Sequence, residues 1–72
     1  MSKHDEIITI LTPEGKITAN KGFLNMMCLA FFALEKEYAN DGYEASAESA
    51  LNIARRISTT LRETGYYNDM EE

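Results

Sequence analysis

The sequence predicts an α+β domain: a β-hairpin followed by an antiparallel pair of helices, order ββαα, assembled as a homodimer. Three observations predict it. A short run rich in β-branched residues is followed by a Pro-Glu-Gly turn. Two long helical segments each stop at a Gly-Tyr pair. The first of those helices is apolar on more sides than the rest of the chain can cover.

Residues 1–5 read as a loose arm and 6–12 as the first strand, with Ile8 and Ile10 on one face and Ile7, Thr9 and Leu11 on the other. Both faces are apolar, so cover is expected on both. Thr12-Pro13-Glu14-Gly15 turns the chain, Gly15 closing a hairpin with a bulge, and Lys16–Ala19 returns as a short second strand. A lone hairpin is marginal in water and must pack on something.

Asn20 is the expected N-cap of a helix running to Asn40, its side-chain oxygen taking a free N–H of the first turn, and Gly22 weakens that start. Gly42 suits the left-handed stop, with Tyr43 folding back on Tyr38. Ser46 is the expected cap of a second helix, bracketed by Glu44 and Glu48, that runs to about residue 64. Gly65 repeats the stop and directs Tyr66 back on Leu61, leaving 67–72 as an acidic loose end. Residues 1–72 thus form a single small domain.

At about 100° per residue, Phe23, Leu24, Met27, Phe31, Leu34 and Tyr38 share one sector of the first helix. Met26, Leu29, Ala30 and Ala33 share a second, with Phe32 and Cys28 between them. The second helix has one apolar face, Ala47, Ala50, Leu51, Ile53, Ala54, Ile57 and Leu61, which covers one sector only. The second sector, Met26, Leu29, Ala30, Phe32 and Ala33, is therefore the expected self-association surface, a symmetric dimer being the commonest solution.

Composition narrows the function. The chain has 72 residues, a formal net charge of −5, one Cys and one His. One Cys forms no internal disulfide and no Cys-based zinc site. The single His4 has no nucleophile or ligand set beside it and reads as solvated. No Gly-rich phosphate loop is present. No catalytic residue, metal or cofactor is expected, and an enzyme is not. The polar start and an apolar run of twelve residues, Phe23 to Leu34, contain neither a secretory signal nor a membrane span, so a cytoplasmic location without membrane contact is expected. Cys28, within that run, reads as a buried small hydrophobe.

Two charged groups remain as candidate partner contacts. Glu35, Glu37, Asp41, Glu44 and Glu48 surround the turn between the helices. They serve solubility, or they dock on a basic surface of another protein. Arg55, Arg56 and Arg62, the chain's arginines, all fall on the second helix and read as ion pairs with Glu44, Glu48 or Glu63. The functional expectation is a small acidic interaction or oligomerisation module, in the manner of an accessory or inhibitory protein. The alternative is a nucleic-acid-associated regulator in which a dimer joins the arginines into one strip; the acidic balance disfavours it.

Overall fold

A computed structural model describes residues 3–67. After a single 3-10 turn at Lys3–Asp5 come β1 (Ile7–Thr12), β2 (Gly15–Asn20), α1 (Lys21–Asn40) and α2 (Glu44–Glu63). The expected loose ends, 1–5 and 67–72, fall partly outside the described residues. The ββαα order and the span of α1 agree with the sequence.

The strands form a two-stranded antiparallel sheet with an unbroken register from Ile7↔Asn20 to Thr12↔Gly15. The loop is Pro13-Glu14 alone, so the expected bulge is absent. Thr12 explains why: its hydroxyl donates to the Gly15 carbonyl at 2.7 Å and accepts from the Glu14 N–H at 3.2 Å, closing the turn tightly. The sheet is covered on one face rather than two. Ile10 is buried and Ile8 and Ile17 pack on the core, while Ile7 is 68% and Leu11 58% exposed.

Asn20 caps α1 as its residue type demands, accepting from the Phe23 N–H at 2.7 Å. Gly42 and Gly65, at φ of 86° and 78°, end the helices in paired six-to-one and five-to-two hydrogen bonds. These are Tyr43 N–H to the Tyr38 carbonyl and Gly42 N–H to that of Ala39, then Tyr66 N–H to Leu61 and Gly65 N–H to Arg62. The first stop delivers the chain directly into α2. That helix therefore starts at Glu44, with Tyr43 at the cap position and no side-chain cap, not at Ser46.

The core is one cluster: Ile10, Leu24, Cys28, Ala54, Ile57, Leu61 and Tyr66. Ala47, Ala50 and Ala54 are buried along α2 and let α1 approach closely. Cys28 shows how closely, since its Sγ–H donates to the Ala54 carbonyl at 3.3 Å. The hairpin lies across the pair, β1 on α2 and β2 on α1. The Cα atoms span 42 × 26 × 16 Å, a slab too thin for a further layer.

The covered arc of α1 differs from the expected one. Counting about 100° per residue from Leu24, it runs from Met27 at about −60°, through Phe31, to Cys28 at about 40° and Phe32 at about 80°. Ile17 and Ala19 of β2 join the same cluster and widen the arc toward Phe32. Phe32 accordingly turns inward, half-buried, and Phe23 turns out, 53% exposed.

Candidate interaction surfaces

Of the five residues expected to self-associate, Met26, Leu29, Ala30 and Ala33 are exposed and share one stripe of α1; Phe32 does not join them. Met26 is 66% and Leu29 63% exposed. The hairpin packs against the core, with Ile10 in the core cluster and Ile8, Ile17 and Ala19 packed on it, and among the described residues it leaves the stripe exposed. It carries no charge until Lys36 and Glu37, one turn beyond Ala33.

All three arginines are exposed on α2. Arg55 and Arg56 line an open groove of about 710 Å³ between α2 and the end of β1, with Leu11, Thr12, Pro13, Asn52 and Thr59. Arg56 Nε donates to the Leu11 carbonyl at 2.9 Å. Arg62 lies in the last turn of α2. Among the described residues none of the three pairs with an acid. The salt bridge seen among the described residues is Lys21–Glu6, and Glu44, Glu48 and Glu63 stand exposed in solvent. Glu37, Asp41, Glu44 and Glu48 are exposed and Glu35 half-buried, so the acids stay a surface feature at one end of the helix pair.

Three features escaped the sequence reading. Lys21, 3% exposed, bonds Glu6 through Nζ at 2.8 Å, while the Lys21 N–H reaches the Glu6 carbonyl at 2.9 Å. This extends the strand register by one pair, and the register was the signal that could have found it. His4 is not solvated alone: its Nδ1 and the Tyr66 hydroxyl are hydrogen-bonded at 2.7 Å, their rings edge to face. The 3-10 turn comes close because residue 22 is Gly; a Cβ there would stand 3.2 Å from His4 Cβ. Tyr67 donates to Asn25 Oδ1 at 2.8 Å, which pins the end of α2 to α1.

Reactive chemistry finds little to use. Burial pushes the Cys28 thiol above its ordinary pKa, the opposite of activation. Among the described residues no three His, Cys, Asp or Glu side chains converge as metal ligands, and no helix is long and apolar enough to cross a membrane. No protein family, curated protein or solved structure matches the chain.

Proposed function

We propose that the chain is a non-catalytic interaction module that works as a homo-oligomer, in the simplest case a dimer, with the outer stripe of α1 as the contact. The observation that carries this reading is the exposure of Met26 and Leu29 on one face with Ala30 and Ala33. Single exposed apolar residues are ordinary, but several in one stripe of a helix mark a contact surface.

The energetics set its strength. Met26 and Leu29 of two copies are four side chains, each about two-thirds exposed. Covering them contributes about 4–8 kcal/mol at roughly 1.5–3 kcal/mol per full burial. Association costs about 4–15 kcal/mol. The pairing is therefore concentration-dependent and gains from the exposed Phe23 where it joins the contact. Asp41, Glu44 and Glu48 stay free for a second protein with a basic surface, the accessory or inhibitory role. Nucleic acid is the weaker reading, because the chain carries a net charge of −5.

Light scattering after gel filtration tests the reading. The expected mass rises from the 8.1 kDa of one chain toward twice that value with concentration. Leu29→Glu keeps the single-chain mass throughout. A wild-type chain that stays single at millimolar concentration overturns the proposal.

A further inference from the structure

The geometry points to a second copy lying antiparallel on α1, about a two-fold axis between Leu29 and Ala30. This rests on reading the outer stripe of α1 as the self-association surface, and it fixes the orientation and register of the pair. Two independent observations carry it.

The first is the order of sizes along the stripe: Met26, Leu29, Ala30, Ala33, large at one end and small at the other. A parallel pair sets Met26 against Met26 and Ala33 against Ala33. That crowds one turn and leaves a void at the next, and both are costly in a close-packed contact. An antiparallel pair about the 29/30 axis brings Met26 of each copy level with Ala33 of the other, and Leu29 level with Ala30. Large then faces small twice over, and the alanines let the two backbones approach. All four residues are exposed in the single chain, so the contact needs no rearrangement of the core.

The second is the electrostatic polarity of α1. Its first turn holds no acid and its last turn no base. A helix carries partial positive charge at its N-terminus and negative charge at its C-terminus. Here Glu37 and the capping Asp41 add to the negative end, and the first residue, Lys21, adds to the positive one. At the start of α1 Glu6 holds Lys21. An antiparallel copy offsets it at both ends, because the same axis places the exposed Glu37, which continues the stripe, level with the partner's first helical turn at residue 22, while Lys36, about 100° round the helix, falls at the edge of the stripe. A parallel copy would lay negative end on negative end. Size and charge thus select the same orientation, and a self-complementary face is what a closed two-fold dimer requires.

Disulfide trapping reads the register directly. Along the helix, position 26 of one copy stands about 10.5 Å from position 26 of the other in this arrangement, at 1.5 Å per residue. A disulfide needs Cα atoms within about 7 Å. Met26→Cys, Ala30→Cys and Ala33→Cys all change exposed positions, so the fold is retained and circular dichroism verifies it. The wild type, whose Cys28 is buried, is the blank. Under mild oxidation Ala30→Cys should link to itself. Met26→Cys and Ala33→Cys should each stay unlinked alone and link when mixed.

Self-linking of both Met26→Cys and Ala33→Cys overturns the antiparallel register in favour of a parallel pair and leaves self-association standing. A two-chain mass by light scattering with no linked species from any mixture places the contact on another face and also overturns the inference. A single-chain mass with no linking removes the Proposed function along with it.

Discussion

The Nε of Arg56 donates to the carbonyl oxygen of Leu11 at 2.9 Å, tying α2 to the outer edge of the hairpin. That oxygen points away from β2. The Glu6 carbonyl, five residues earlier, points toward the β2 side and accepts from Lys21. Backbone groups alternate along an antiparallel strand, so Ile7, Thr9 and Leu11 all turn theirs to the open edge of β1. An open edge is a template for unwanted pairing. Arg56 occupies one of its acceptors with a charged side chain.

Arg56→Ala should therefore loosen the end of the hairpin. The lost hydrogen bond costs about 0.5–1.5 kcal/mol, seen as a lower urea midpoint and faster amide exchange at Gly15 and Ile17. Arg55→Ala, one residue away in the same groove, makes no such bond and should change stability by less than about 0.5 kcal/mol. Equal effects from the two would show that the Arg56 bond contributes nothing to the hairpin.

Lys21 and Glu6 predict an ordering rather than a single value. Lys21 is buried and Glu6 largely exposed. Glu6→Ala leaves a buried ammonium without its partner, a loss of about 1–3 kcal/mol. Lys21→Met replaces the ammonium by a group of similar length that suits the apolar site, and Glu6 then stands in water at little cost. It should change stability by less than about 1 kcal/mol. Chemical denaturation of the two variants tests this, and a Lys21→Met variant less stable than Glu6→Ala reverses the argument.

These two contacts show where the sequence was legible. Caps and stops are local: Asn20, Gly42 and Gly65 each act within a few residues of themselves, and each does what its residue type requires. The outer stripe at Met26, Leu29, Ala30 and Ala33 follows from helical period alone. Phe32 and Phe23 take positions that depend on neighbours distant in sequence, whereas Ser46 loses the cap to a local stop. The hairpin draws Phe32 inward, and the tight stop at Gly42 starts α2 before Ser46 is reached. Lys21, His4 and Arg56 were missed because their partners Glu6, Tyr66 and Leu11 lie 15 to 62 residues away.

Burial raises the pKa of Cys28 and of Tyr67 above their ordinary values of 9.0 and 10.0. In the unfolded chain both groups ionise at the ordinary values. Each favours the folded state fully below that value, and the contribution is lost as pH rises from there through the folded-state pKa. The protein should hold constant stability from these two groups at neutral pH and lose it above about pH 9. Cys28→Ala should flatten the first part of that fall. A thermal midpoint that drops equally in wild type and variant between pH 8 and 10 would assign the loss to other groups.

Self-association carries an electrostatic opposition that salt should relieve. Two copies of charge −5 repel. At centres about 20 Å apart in water this is about 5 kcal/mol unscreened. The attraction of Glu37 for the partner's helix start is about 0.3–1 kcal/mol at each end, so repulsion wins at low ionic strength. The Debye length shrinks from about 30 Å at 0.01 M to about 8 Å at 0.15 M. Most of the repulsion is lost over that range, while the apolar contact of Met26 and Leu29 persists. The dimer should tighten by about tenfold or more between those two salt concentrations, measured by sedimentation equilibrium. Weakening over the same range would mean that the copies are held by ion pairs, with Arg55 or Arg62 against the partner's acids, and not by the outer stripe of α1.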